Sequence, residues 1–210
     1  MNRLLKTVVI IFSSVVVSFA QGFNAKATGE QTFDFEGKYG SQTSFSSSTP
    51  LEDFTGVSKD VKGKVTFDVA DIKTLKGSVS ITTESLKTGI DLRDKDMRSD
   101  RWLDASSYPE ITFVIKKVSD VKVIEDNRLE AKVTGDFTVH GVTKEIVADV
   151  TMTYLDENEE TIKRAPGDLL GVQAKFNIVL SDYGVDNLVL GQKVSDNIEI
   201  NANIVGSNAK

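Results

Sequence analysis

GDFTVHGVTK, residues 135–144, holds the only histidine in the chain. His140 reads either as the centre of an active site or as the corner of a hairpin, and the hairpin can be checked. With His140 and Gly141 as the central residues of a tight turn, Val139 stands opposite Val142 and the pairing runs back along both flanking segments. Gly135 then faces Ile146, Val133 faces Ala148, Ala131 faces Val150 and Leu129 faces Met152, all on one side of a sheet. On the other side Thr138 meets Thr143 and Lys132 meets Asp149. Only Phe137 opposite Lys144 mixes apolar with charged, and Asp136 opposite Glu145 sets like charges across from each other. A slip of one residue sends every apolar partner to the wrong face, so the register is well specified. Gly141 supplies the positive φ that a two-residue loop demands. Catalysis at His140 would need an acid held beside the imidazole to orient it, and a hairpin tip in water holds such a partner poorly. The structural reading wins, and no catalytic residue is assigned.

The same period of two extends outward from this hairpin. Val61, Val65 and Phe67 alternate with polar residues, as do Leu75, Val79 and Ile81, and then Ile111, Phe113 and Ile115. It returns in Leu170, Val172, Ala174, Phe176, Ile178 and Leu180, and in Ile198, Ile200, Ala202 and Ile204. Strands that bury one face and wet the other, repeated this often in one domain, make an antiparallel sandwich or barrel. One segment breaks the pattern. Residues 91–104 lack glycine and β-branched residues, are dense in charge, and place Leu92, Met97, Trp102 and Leu103 roughly on one helical side, which predicts a short helix closed off by Ser106-Ser107-Tyr108-Pro109. The acidic stretch from Asp156 to Gly167 lacks the ligand alternation of a calcium loop and reads as a solvated connection.

The amino terminus differs from the rest. A short basic stretch, Asn2 to Lys6, precedes the apolar run TVVIIFSSVVVSFA, the layout of a secretory signal peptide. The run is shorter than the roughly 20 residues of a spanning helix. Cleavage is expected after Ala20, with a second candidate after Ala27, leaving no integral membrane span and one domain over residues 28–206. The chain has no cysteine, which excludes disulfides, thiol nucleophiles and thiolate metal sites. A formal net charge of −6 argues against nucleic acid as a partner.

Several motifs act together. Arg93-Asp94, Met97-Arg98-Ser99, Trp102-Leu103-Asp104 and Tyr108-Pro109-Glu110-Ile111-Thr112-Phe113 precede the 135–144 stretch, and Ser181-Asp182-Tyr183-Gly184-Val185 follows it. As a set they resemble the signature of the YceI-like family of lipocalin-like, polyisoprenoid-binding periplasmic proteins, over nearly the whole chain from about Phe33 to Val205. Asp96 stands where many members carry a histidine, Trp102-Leu103 replaces an aromatic pair, and the strand from Gln42 to Phe45 lacks another histidine common in the family.

The resemblance implies an all-β, antiparallel, lipocalin-like barrel of about eight strands with one short helix near 91–104. It further implies a periplasmic or secreted protein that holds an isoprenoid chain, such as a polyprenyl phosphate or a quinone, as carrier or store and with a link to stress. A barrel of eight strands has room for its own side chains or for one slender ligand. Periodicity alone favours the filled core, and the resemblance reverses that preference. The expected wall is Phe67, Val79, Ile81, Phe113, Phe137, Met152 and Phe176, joined by Met97 and Trp102 from the helix. Arg93, Arg98 and Arg101 are candidates for an anionic head group, against an equally good reading as a solvated helix face paired with Asp94, Asp96 and Asp100. No metal or cofactor is expected beyond the lipid, and pairing of two copies is left open. The rival classes are an envelope module with a filled barrel, structural or protein-binding, and an enzyme acting on lipids.

Overall fold

The computed structural model describes residues 21–209. The signal-peptide reading of residues 1–20 lies outside the described residues. Ten strands and one α-helix follow in chain order: β1 (Glu30–Phe35), β2 (Gln42–Ser48), β3 (Asp53–Ser58), β4 (Val61–Asp68), β5 (Asp71–Thr82), α1 (Asp91–Arg98), β6 (Glu110–Glu125), β7 (Arg128–Val139), β8 (Val142–Leu155), β9 (Leu169–Val179) and β10 (Asn197–Ser207). Eight of the strands close a barrel in the order β1-β4-β5-β6-β7-β8-β9-β10, sealed by pairing of Asp34 with Ser207. The other two widen it at one end. β2 pairs with the opening half of β10, Ile198 to Asn203, and β3 pairs with β2. One long strand, β10, is thus shared by β1 near its end and β2 near its start.

The β7–β8 hairpin has the register read from the sequence at every pair, from Val139 opposite Val142 to Leu129 opposite Met152. The Thr138 and Thr143 hydroxyls lie 2.8 Å apart, and Lys132 donates to Asp149 at 2.7 Å. The like charges of Asp136 and Glu145 are reconciled by Lys116 of β6, whose Nζ sits 2.6 Å from one and 3.2 Å from the other. Both turn residues have positive φ, 52° at His140 and 72° at Gly141, the conformation whose twist matches that of the flanking strands. The tip does not stand free in water. His140 Nδ1 is 3.1 Å from the Tyr183 carbonyl and its ring packs edge-on against Tyr108 at 4.8 Å. The imidazole therefore pins the hairpin to two loops at the same end of the barrel.

Two sequence expectations need correction. The helix ends at Arg98, since Ser99 turns to extended backbone and its N–H bonds to the Asp96 carbonyl; residues 100–107 form turns, with Leu103 N–H donating to Met97 O. Within that helix Leu92 is 71% exposed and not part of a buried stripe. β6 runs on to Glu125 with three register shifts, and each bulge inverts the inside–outside alternation, so the period-two signal fades after Ile115.

The barrel is closed at the end opposite His140. Phe23, Phe33, Phe67 and Tyr154 pack there with ring centroids 5.6–5.9 Å apart, over fully buried Ile72, Leu129 and Leu170. Phe23 precedes the first strand, and its N–H donates to Val69 O at 2.8 Å. Phe23, Ala25 and Ala27, all before residue 28, therefore belong to the packed fold.

Candidate functional site

Above this aromatic floor the strand register assembles a belt of small side chains. Ala131 of β7 pairs with Val150 of β8, Val150 with Ala174 of β9, Ala174 with Ala202 of β10, and Ala202 with Thr43 of β2. Directly paired residues point to the same face, so five neighbouring strands present methyl-sized or β-branched groups in one row, of which Val150, Ala174, Ala202 and Thr43 line the lumen while Ala131 is buried beside it. Levels on either side carry Met152 and Val172 below, and Phe176, Ile200 and Phe45 above. The belt leaves space at its centre. A cavity of about 510 Å³ runs from above the floor to the far end of the barrel.

Burial along β9 and β10 agrees with an open lumen. Val172, Ala174, Phe176, Ile200 and Ala202 point inward yet are only half-buried, whereas Leu170 and Ile204, nearer the floor, are buried. Inward-facing apolar groups keep accessible surface only where nothing packs against them. Gly135 serves the same lumen from the wall, because a Cβ there would lie 2.5 Å from the Phe113 ring. The glycine of the opening stretch is what lets that ring lie flat against β7.

Eight of the nine expected wall residues line the cavity: Val79, Ile81, Met97, Trp102, Phe113, Phe137, Met152 and Phe176. Phe67 does not, because it is fully buried in the floor, stacked on Phe33 at 5.7 Å. The residues missed by sequence reasoning are the small ones of the belt, together with Phe45 and Phe54 from the flanking hairpin. Continuing the Ala131–Val150 pairing by two strands would have revealed Ala174 and Ala202. Thr43 lies in a serine-rich strand with no apolar alternation to expose it.

The three candidate arginines separate. Arg93 lines the cavity mouth, stacks over Phe54 at 4.3 Å and approaches Glu52 at 3.5 Å. Arg98 faces away from the lumen and ties α1 down, donating to Glu84 at 2.8 Å and to the Leu86 carbonyl at 3.0 Å. Arg101 is 69% exposed and pairs with Asp96. The cavity wall also includes Lys193, a residue from the loop before β10 that the sequence reading passed over. Its ionisable groups are Glu52, Arg93, Asp96 and Lys193, two of each sign, all at the mouth. No acid–base pair reaches the apolar interior, where catalysis would need one within hydrogen-bond reach of a substrate.

α1 covers part of the mouth, with Met97 turned into the cavity and Trp102 and Leu103 beside it. Its anchor is Asp94, a buried carboxylate that accepts from Thr88 N–H at 2.7 Å and Thr88 Oγ1 at 2.6 Å. Burial pushes this carboxyl up, but the Thr88 hydrogen bonds and the Arg98 and Lys87 charges outweigh it, and the group is held below the ordinary aspartate value. The Arg-Asp motif thus divides its work: Arg93 faces the mouth, and Asp94 holds the helix over it.

The sequence model of the YceI-like domain matches residues 17–206. Among relatives, a UPF0312 protein of Pseudomonas fluorescens is 34% identical over 156 residues, 74% of this chain and 75% of its own length. The protein YceI of Escherichia coli is 32% identical over 133 residues, 62% of each chain, so this chain spans less than two thirds of that relative. Among solved structures, a YceI protein of Campylobacter jejuni superposes with a TM-score of 0.60 at 27% identity, covering 74% of this chain and 84% of that one. A polyisoprenoid binding domain of Saccharophagus degradans superposes with a TM-score of 0.62 over 87% of this chain and 100% of its own; at 18% identity that likeness speaks for the fold alone.

Proposed function

The chain belongs to the YceI-like domain family, and from that membership and the shape of its lumen we propose that it binds a long isoprenoid chain in the barrel and carries it without chemical change. The observation that supports this reading most is the belt of Val150, Ala174, Ala202 and Thr43, which keeps open a cavity of about 510 Å³ above a sealed aromatic floor. A barrel built only to be filled would carry larger residues at that level. The wall is apolar and a prenyl chain gains roughly 25 cal/mol per Å² of surface buried against it. The polyisoprenoid binding domain of Saccharophagus degradans has the same fold. The chain end enters first, toward the floor, and the polar head stays at the mouth beside Arg93 and Lys193. The enzyme reading loses support because every ionisable group of the wall sits at that mouth.

We also propose that the protein is exported, to the periplasm or beyond, through the leader expected over residues 1–20. Cleavage after Ala20 suits the fold better than cleavage after Ala27, since the later site would remove Phe23 from the floor, where it is 6% exposed. Amino-terminal sequencing of the protein from its own cells decides between a mature chain starting at Gln21 and one starting at Thr28. The ligand is tested by native mass spectrometry of the same material followed by lipid extraction. A bound species of prenyl composition is expected. Repeatedly empty protein, combined with no thermal protection by added isoprenoids, would sink the proposal.

A further inference from the structure

The three most exposed large apolar side chains among the described residues are Leu188 at 95%, Leu51 at 80% and Leu92 at 71%. They come from three separate parts of the chain and meet at one place. Leu51 lies at the tip of the β2–β3 turn, next to Glu52, which lines the cavity mouth and faces Arg93 at 3.5 Å. Leu92 is on the first turn of α1 and itself lines the mouth. Leu188 adjoins Val189, another lining residue, in a loop tied to the α1 side by a bond from Asn187 Nδ2 to Arg101 O at 3.2 Å. The rest of the barrel shows no large apolar group as bare as these. Scattered single exposures need no explanation, but a cluster around one opening does.

We infer that this rim docks the barrel, mouth first, on a neutral phospholipid bilayer, with the three leucines entering the interface so that a lipid passes between membrane and lumen without crossing water. This inference rests on the lipid-binding reading above for the purpose of docking, and on the rim itself for its occurrence. The surface is continuous with the apolar cavity, so a bilayer is the one occupant that both covers the rim and supplies what the cavity takes. Leu51 and Leu188 stand in loops and Leu92 on the first turn of α1, with charged residues beside them, namely Glu52, Asp91 and Arg93. That pattern lacks the flat contiguous apolar face of a stable dimer, whereas single side chains on protruding tips each find their own depth in a fluid interface. The mouth carries both signs of charge equally, and the chain as a whole is acidic. Docking therefore proceeds by apolar insertion and does not depend on anionic lipid.

The test uses protein in the form in which its own cells make it, and a variant carrying Leu51→Ser and Leu188→Ser, the two rim leucines that do not line the cavity, made in the same way. Both are floated with phosphatidylcholine vesicles, and both are offered solanesol, a long prenol, either in those vesicles or in detergent. The parent floats with the vesicles, in 0.1 M and 0.5 M salt alike, and the double variant partitions about a hundredfold more weakly, since removing each buried leucine costs roughly tenfold or more. Transfer of solanesol from vesicles slows with it, while uptake from detergent and thermal unfolding stay unchanged. A parent that fails to float, or a variant that floats equally well, overturns the docking proposal even where detergent uptake is normal. Flotation that requires anionic lipid or vanishes in salt overturns it in favour of electrostatic attraction. A concentration-dependent dimer abolished by the two substitutions, with no flotation, overturns it in favour of a second copy. Loss of detergent uptake by the parent, by contrast, defeats the lipid-binding reading and leaves the flotation result to stand alone.

Discussion

Ala174→Phe puts the lumen itself to the test. Ala174 points inward from β9 at the level of the belt, half-buried, with Ala202 on one side and Val150 on the other. From Val172 to Ile178 the open part of the lumen extends about 20 Å along the strand at roughly 3.4 Å per residue, or about 15 Å along the axis for a strand tilted by roughly 40°. A phenyl ring at position 174 blocks the lower part of that length. It excludes at least one five-carbon unit, which at roughly 0.8 kcal/mol per buried carbon forfeits about 4 kcal/mol, close to a thousandfold in Kd. The effect on folding has the opposite sign from an ordinary core substitution. In a filled interior the extra ring would overpack and cost about 1–3 kcal/mol, lowering Tm by roughly 2–4 °C for each kcal/mol in a chain of this size. In an open lumen the ring enters vacant apolar space, and Tm holds or rises. Titration with a fluorescent prenol and thermal unfolding of the same samples read both quantities. A variant that binds the prenol as tightly as the parent, or that melts several degrees lower, refutes the placement of the ligand at the belt.

Other substitutions separate the parts of the molecule. Asp94→Asn removes the charge from the Thr88–Asp94–Arg98 node and is expected to cost about 1.5–3 kcal/mol, the range for hydrogen bonds to a charged group, with faster release of lipid as α1 loosens; urea unfolding and dissociation kinetics check it. Because the folded Asp94 carboxyl is held low, its contribution is present above the ordinary aspartate value near 4 and is lost as pH falls through its folded value. The stability difference between parent and Asp94→Asn should therefore shrink in acid, and a constant difference down to the lowest pH would contradict it. His140→Ala removes the bond to the Tyr183 carbonyl and the edge contact with Tyr108, a loss of about 1–3 kcal/mol from the two together, with lipid affinity unchanged; abolished binding or activity would restore a functional role to the histidine. Tyr154→Phe deletes the 2.6 Å bond from the phenol to Asp168 in the floor, destabilising by roughly 1–3 kcal/mol without altering lipid capture. Burial first, and then the bond to Asp168, push the Tyr154 hydroxyl far above the ordinary tyrosine value, so the parent should lose stability as pH rises above about 10, where the unfolded chain ionises and the folded one does not. Tyr154→Phe should flatten that alkaline limb.

The barrel was legible because its decisive information is local. A two-residue turn fixes a register, and a register fixes which side chains share a face, so the pairs around His140 and Gly141 could be named from spacing alone. The same logic failed where spacing is interrupted. β6 carries bulges that switch Val118 inward out of step with Ile115, and β2 and β3 are too polar to alternate. Most of the lumen wall was legible as apolar alternation, but alternation records polarity and not volume. It ranked Phe67 with Phe113, although one seals the floor and the other lines the opening. What distinguishes them is the level of each residue along the axis, which depends on strands far apart in sequence. The mouth was the least legible part. Lys193 and Glu52 reach it from loops whose position follows only from the closed sheet, while Arg98, in a motif that looks built for an anion, spends its guanidinium on Glu84 and a carbonyl.

The energetics of that opening bear on why it exists. A dry, enclosed apolar cavity costs roughly 24 cal/mol per Å³ relative to a packed interior, so a lumen of about 510 Å³ forgoes at most about 12 kcal/mol of contacts if left empty, and less where its mouth is open to water. That is of the order of the entire net stability of a typical domain, about 5–15 kcal/mol. Water is a poor filling, since each buried molecule needs roughly two to four polar partners and the ionisable groups of this wall stand only at its mouth. Larger residues at Ala174 and Ala202 would fill much of this space by the simplest route, a change of two side chains. With the belt kept small, an apolar chain drawn in from the mouth would make the deficit good. Such a chain would bind the folded barrel and not the unfolded one, so occupancy and resistance to unfolding should rise together.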